Sequence, residues 1–251
     1  MTPTPGGTHL SVIIPAFNEE LRLPETLRQV FAFLAAQPYE SEVLVVDDGS
    51  TDGTAGAVNA AARGSLRLLQ HPDGANHGKG AAVRLGMLEA QGAFRIFMDA
   101  DNSTTIDQVA SFWPWFEQGY DVVIGSRKAS GARVLVHQAW YKELAGRCGN
   151  SVIRALAVPG ITDTQAGFKM FSRRAAETVF PRQTIDRWGY DIELLAIAQL
   201  MKFRIREVPI VWINAPGSKV RMGAYVQVLS EVWRIRRNIK SGVYLQAAPG
   251  S

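Results

Sequence analysis

Three short polar clusters hold most of the chemically suggestive residues of this chain, and each follows an apolar run of strand length. Pro15-Ala-Phe-Asn-Glu-Glu20 follows Leu10–Ile14, Asp47-Asp-Gly-Ser-Thr-Asp52 follows Glu42–Val46, and Asp99-Ala-Asp-Asn-Ser103 follows Phe94–Met98. In the last cluster Asp99 and Asp101 flank Ala100 on a turn, where both carboxylates can face one hard cation that also holds a diphosphate. Taken alone, that triplet reads better as a helix cap, because acids suit a helix N-terminus. Asp47 and Asp48 are more informative. Two acids directly after an apolar strand can accept hydrogen bonds from a ribose or a base N–H, whereas capping explains only Asp52. The loop after the first strand lacks the glycine fingerprint of a dinucleotide-binding fold, which argues against a nicotinamide oxidoreductase. A single cysteine, Cys148, excludes an internal disulfide and a thiolate-rich zinc site.

The elements that must position these clusters follow from periodicity. Pro24 suits the first turn of a helix, and Leu27, Val30, Phe31 and Leu34 recur behind it at helical spacing. Further strands are expected near Leu66–Leu69, Asp121–Gly125, Phe168–Phe171 and Arg204–Ile213. Helices are expected after Lys79, from about Gln138 to Ala157, from Tyr190 to Met201, and at the end through about Ile239. This alternation predicts an α/β fold with a doubly wound, mainly parallel sheet and a C-terminal helical elaboration. Ligands bind such sheets at the carboxyl ends of the strands, where all three clusters fall. With 47% hydrophobic and 20% charged residues among 251, a sizeable core is expected. No linker or repeat divides the chain, so it reads as a loose tail over residues 1–9, one domain over 10–241 and a tail over 242–251.

The longest apolar runs, such as Val43–Val46 and Val208–Ile213, fall short of the roughly 18–20 residues that cross a bilayer. Met1–Leu10 lacks the charged and apolar regions of a signal peptide, so neither a leader nor a spanning segment is expected. The net charge of +4 favours anionic partners without choosing among them.

Taken together, Ser11–Glu20, Val45–Thr54, Gly78-Lys-Gly-Ala-Ala-Val-Arg-Leu-Gly86 and Met98-Asp-Ala-Asp101 resemble a family 2 glycosyltransferase of the GT-A fold. Gly125-Ser-Arg127, Asp163-Thr-Gln-Ala-Gly-Phe-Lys-Met-Phe171, Arg187–Leu195 and Pro216-Gly-Ser-Lys-Val220 resemble its dolichyl-phosphate β-glucosyltransferases and their bacterial polyprenyl-phosphate relatives. The resemblance implies a nucleotide-sugar half over 10–130 and an acceptor half over 131–241. It also implies inverting transfer of a sugar, glucose from UDP-glucose foremost, to a polyprenyl or dolichyl phosphate, with Mg²⁺ or Mn²⁺ as cofactor.

On individual positions, the resemblance gives Pro15, Phe17 and Glu19 to the nucleotide base and ribose, with Asp48 and Asp47 reading the base. Lys79 stands near the donor, and Asp99, Ala100 and Asp101 hold the diphosphate, Asp99 and Asp101 as metal ligands. Arg127, Lys142, Arg147 and Lys219 grip the acceptor phosphate. Asp101, Arg127 and Asp163 form the expected catalytic set, with Gln165, Asp191 and Glu193 as further candidates. Ser103 stands where related mannosyltransferases tend to carry Gln, and Ile213–Pro216 stands where they favour Arg. Both departures tilt the reading toward glucose and leave a third metal ligand unassigned.

Simpler roles compete at several positions. Asp191 and Glu193 suit the first turn of a helix, and Trp188 and Trp212 read more readily as core than as sugar-stacking residues. A donor of GDP-mannose, an acceptor hydroxyl deprotonated by Asp163 or Asp191, and an inactive nucleotide-sugar-binding module are the rival functions. Nucleic acid is not an expected partner, and the oligomeric state is left open. Two basic amphipathic stretches, Trp140–Leu156 and the final helix, are suited to lie on a membrane, which predicts a cytoplasmic, peripheral protein at the inner membrane face. In the final helix Tyr225, Val228, Leu229, Val232, Trp233 and Ile239 would face the lipid, beside Arg234, Arg236, Arg237 and Lys240.

Overall fold

The computed structural model describes residues 7–62, 64–134, 156–213 and 223–246. Strands β1 (Leu10–Ala16), β2 (Ser41–Asp47), β3 (Leu66–Gln70), β4 (Phe94–Met98), β5 (Val122–Ser126), β7 (Phe168–Ser172) and β8 (Ile205–Pro209) form one sheet in the order β3-β2-β1-β4-β7-β5-β8. A two-stranded ribbon joins β6 (Arg133–Val134) to β9 (Val211–Trp212). Strand β7 runs antiparallel between β4 and β5, and the other pairings are parallel. The sheet is thus mainly parallel, as the alternation predicts.

Both faces are covered, which is why β1 and β2 are apolar almost throughout rather than alternating. On one face, helix α1 (Leu23–Ala35) buries Leu23, Leu27, Val30 and Leu34, and α2 (Thr54–Ala60) and the short α4 (Trp113–Glu117) lie on the same side. On the other face lie α3 (Lys79–Glu89), α5 (Arg173–Val179) and α6 (Tyr190–Leu200). The last helix, α7 (Gly223–Lys240), packs on α6.

The domain is longer at both ends than patterning suggests. His9 is buried against Tyr39, Phe94 and Trp113, and Thr8 accepts a backbone bond from Ala93, so the fold begins before β1. At the other end Tyr244 is buried, its hydroxyl 2.7 Å from Glu193, so this one side chain of the expected tail packs into the core while Val243 and Leu245 beside it stay exposed. The lipid-facing stripe expected of α7 also divides. Val232 and Ile235 are fully buried and Val228 and Ile239 pack beside them, while Leu229 and Trp233 stay exposed. Helical spacing identifies a stripe, but only packing decides which half of it faces inward. The stretch Trp140–Ile153 lies outside the described residues.

Candidate active site

The carboxyl ends of β1, β2, β4 and β5 lie along one edge of the sheet, and so does the start of the antiparallel β7. The three polar clusters meet there. Asn18, with φ of 55°, receives Thr51 N on its side chain at 2.8 Å and donates its own N–H to Ser50, stitching the first two loops together. Pro15 is buried within β1, and Phe17 is the exposed end of that stretch. Glu19 is turned to Arg22 through a 2.7 Å ion pair.

Asp47 and Asp48 are both buried and committed to their own chain. Asp47 accepts from Ser50 N and the Gln70 amide, each at 2.9 Å. Asp48 accepts from the backbone N–H groups of His77 and Gly78, each at 2.9 Å, just before α3 begins. A carboxylate at the positive end of a helix is favourable, and here it fixes where Lys79 enters the site. Gly78 makes this entry possible at φ of 107°, where a Cβ would stand 2.7 Å from Asp186 O. The imidazoles of His71 and His77 meet at a tilt beside this loop, their centroids 4.5 Å apart, with His71 Nε2 3.6 Å from Asp48.

Lys79 Nζ pairs with Asp99. Burial opposes charge on this ammonium, yet Asp99, Asp191 and Asp101 outweigh it and raise its pKa. The other Asp99 oxygen faces Gly167, where a Cβ would lie 2.2 Å away. The register explains this contact, because Met98 pairs with Phe168 and so brings the residue before β7 against the residue after β4. Asp101 is half-buried, its carboxylate accepting Ser103 N at 3.0 Å, and the buried Ala100 carbonyl accepts from Thr26 at 2.7 Å. Two carboxylates at the sheet edge are of the type a hard cation takes, although Asp99 is here paired with Lys79. Among the described residues no third His, Cys, Asp or Glu joins them.

Arg127, directly after β5, is gripped by Asp163. The carboxylate accepts Arg127 N, Nε and Nη2 at 2.8, 2.9 and 2.7 Å. Burial works to raise the Asp163 pKa, but Arg127 more than offsets it and holds the group below its ordinary value. Trp212 lies under the guanidinium, 5.4 Å from its centre to the ring centroid, and so supports Arg127. Asp163 was expected to take part in the chemistry. Its side chain is 1% exposed and its three hydrogen bonds all come from Arg127, which it holds in place. Gln165 is exposed, and its carbonyl lies 3.4 Å from Arg127 Nη2.

The remaining candidates separate in the same way. Glu193 is buried and accepts from Thr184 N, Thr184 Oγ1, Ile185 N and the Tyr244 hydroxyl, which ties the stretch before α6 to the end of the described chain. Burial raises its pKa. Asp191 is buried beneath the site and pairs with Lys169, a residue that motif reading passes over. A lysine amid Phe168, Met170 and Phe171 in a central strand was the available signal. Gly167 and Glu207 were also missed; Glu207 accepts Thr162 N and Asp163 N at 2.8 Å and so holds the turn that carries Asp163. Lys142, Arg147 and Lys219 lie outside the described residues.

Comparison with known proteins fits this arrangement. The family model of glycosyl transferase family 2 matches residues 11–180. The chain belongs to that family. This glycosyltransferase is 34% identical over 239 residues to a dolichyl-phosphate beta-glucosyltransferase of Trichomonas vaginalis, covering 90% of this chain and 72% of the relative. It is 32% identical over 250 residues to the dolichyl-phosphate beta-glucosyltransferase of Homo sapiens, covering 94% and 77%. Among solved structures, glucosyl-3-phosphoglycerate synthase from Mycobacterium tuberculosis, in complex with Mn²⁺, UDP-glucose and phosphoglyceric acid, aligns with a TM-score of 0.64 at 20% identity. That alignment covers 92% of the transferase and 80% of the synthase. Mannosyl-3-phosphoglycerate synthase from Rubrobacter xylanophilus aligns with a TM-score of 0.62 at 19% identity, over 97% and 78%. These likenesses establish the GT-A fold.

Proposed function

We propose that the transferase moves glucose from UDP-glucose to the phosphate of a polyprenol, with inversion at the anomeric carbon. The observation that carries this reading is the similarity, over nine-tenths of the chain, to dolichyl-phosphate beta-glucosyltransferases. The chemistry of the site supports it. An acceptor hydroxyl would need a carboxylate base, and both sequence candidates are committed to cations, Asp163 to Arg127 and Asp191 to Lys169. A phosphate monoester, whose second pKa is near 6, is largely dianionic at neutral pH and needs no base.

The protein's task is then to bring two anions together. Arg127, pre-oriented by Asp163 and Trp212, takes the acceptor phosphate, while Lys79 lies on the donor side beside Asp99. Phe17 and the loops after β1 and β2 receive the nucleoside, with the buried Asp47 and Asp48 shaping that pocket. Asp99 and Asp101 would hold a Mg²⁺ or Mn²⁺ ion, which supplies charge neutralisation at the leaving diphosphate when bound. Because these groups are fixed before substrate arrives, they stabilise developing charge with little reorganisation.

A polyprenyl phosphate keeps its tail in the bilayer, so the site must reach the headgroup plane. No described helix is long and apolar enough to cross a membrane. The outer face of α7 offers Leu229 and Trp233, Trp233 being 66% exposed, beside Arg236, Arg237 and Lys240. That combination suits peripheral docking on an anionic leaflet. The deciding experiment incubates the pure protein with a panel of nucleotide sugars, Mg²⁺ or Mn²⁺ and a polyprenyl phosphate, and identifies the lipid product by mass. GDP-mannose as the much better donor would overturn the sugar assignment. Transfer to free sugars in preference to the lipid would overturn the acceptor.

A further inference from the structure

Lys169 and Asp191 form an ion pair that the reaction outlined above does not use. The Lys169 side chain is 0% exposed, and its Nζ donates to Asp191 Oδ1 and to Ala166 O, each at 2.5 Å. Replacing a buried ion pair by well-packed apolar groups is often neutral or stabilising, so stability alone does not account for this one. The carbonyl it holds makes its placement informative. Ala166 lies in the turn Asp163–Gly167, between β6 and β7 in the chain. At one end of that turn Asp163 anchors Arg127; at the other, Gly167 abuts the Asp99 carboxylate. The turn therefore bridges the acceptor and donor sides of the site. Glu207 secures its first end through Thr162 and Asp163, and Lys169 secures its second.

Resting on the transfer reaction above, we propose that Lys169, held in place by Asp191, is a positioning residue that sets the separation between Arg127 and the Lys79–Asp99 pair by clamping the Ala166 carbonyl. Lys169 is suited to this from the centre of the sheet. It stands in register with Phe97 of β4 and Ile124 of β5, the strands that end just before Asp99 and Arg127. Release of the clamp lets Gly167 withdraw from Asp99 while Asp163 and Arg127 follow the other half of the turn. A displacement of about 1 Å between reacting groups costs on the order of 10²-fold in rate.

The test uses the full chain and two variants. Lys169→Met with Asp191→Asn removes both charges and leaves no unpaired ion, whereas Asp191→Asn alone keeps an oxygen for the ammonium. In the double variant, turnover with UDP-glucose and polyprenyl phosphate is expected to fall on the order of 100-fold. Calorimetric affinity for UDP-glucose should stay within about threefold and hydrogen exchange of residues 163–168 should rise about tenfold, a loosened turn being the direct signature of a lost clamp. Asp191→Asn alone should keep turnover within about tenfold, because the ammonium still has an acceptor beside Ala166 O. Unchanged exchange in that turn, wild-type turnover of the double variant, or an equal loss in Asp191→Asn would overturn the clamp. If the wild type glucosylates no lipid at all, the assigned reaction fails instead, and the exchange measurement still decides the clamp.

Discussion

Replacing Asp163 by Asn tests how Arg127 is held. The carboxylate accepts three hydrogen bonds from Arg127, and an amide can accept them on only one atom while turning an NH₂ group toward a guanidinium. Removing one partner of a buried ion pair costs about 3–5 kcal/mol. The Arg127 side chain is 30% exposed, so water recovers part of this and about 2 kcal/mol is the better figure. For a domain of this size, that corresponds to a melting temperature lower by about 4–8 °C. The freed guanidinium no longer awaits the acceptor phosphate in one orientation, so kcat/KM for polyprenyl phosphate should fall on the order of 10²-fold. The depressed Asp163 pKa adds a pH signature. A carboxyl lowered in the folded state contributes stability above its unfolded pKa of about 3.9, and this is lost as pH falls through the folded value. The stability gap between wild type and Asp163→Asn should therefore be full at pH 7 and close below about pH 4. Thermal unfolding across pH and steady-state kinetics measure both effects. Wild-type melting and kinetics in the variant would refute the reasoning; lost stability with intact kinetics would free Arg127 from its assigned role.

Other expectations follow from single contacts. Asp101→Asn should leave the melting temperature nearly unchanged, since its carboxylate accepts only Ser103 N in the described contacts. It should nevertheless cost at least about 10²-fold in turnover, with EDTA equally inhibitory to the wild type; full activity in either case defeats a metal held by this turn. Gly167→Ala places a methyl 2.2 Å from the present Asp99 oxygen and should abolish transfer, while Gly56→Ala, with nothing within 4 Å, should stabilise α2 by about 0.5–1 kcal/mol. Kinetics and unfolding curves separate the pair, and an active Gly167→Ala enzyme would mean that Asp99 has room to move. On α7, Arg236, Arg237 and Lys240 changed together to Glu should abolish flotation with anionic vesicles, each basic residue being worth about 1 kcal/mol at the surface. Arg234 is left intact in that experiment because it donates to Thr184 O at 3.2 Å. Vesicle binding that survives the triple reversal would exclude this face as the membrane contact.

Much of the architecture was legible in the sequence because it depends on local signals. Fully apolar strand runs, the proline in the first turn of α1 and the helical spacing of Leu27, Val30 and Leu34 each act within a few residues. Polar clusters after β1, β2 and β4 marked the reactive edge of the sheet for the same reason, since strands of one parallel sheet deliver their carboxyl ends together. What each acid does could not be read this way. Asp163 meets Arg127 across 36 residues, Lys169 meets Asp191 across 22, and Gly167 meets Asp99 only because β7 enters antiparallel between β4 and β5. These pairings decide which carboxylates remain open to substrate and which are consumed in holding the frame. The division of the α7 stripe has the same origin: Val232 and Ile235 are buried because α6 lies beside them, and Trp233 is exposed because the described fold places no element over it. Sequence determines which groups are available, because side-chain chemistry and short-range periodicity are properties of the chain itself. Tertiary structure alone determines their partners, because burial and ion pairing depend on residues brought together by the order of strands in the sheet.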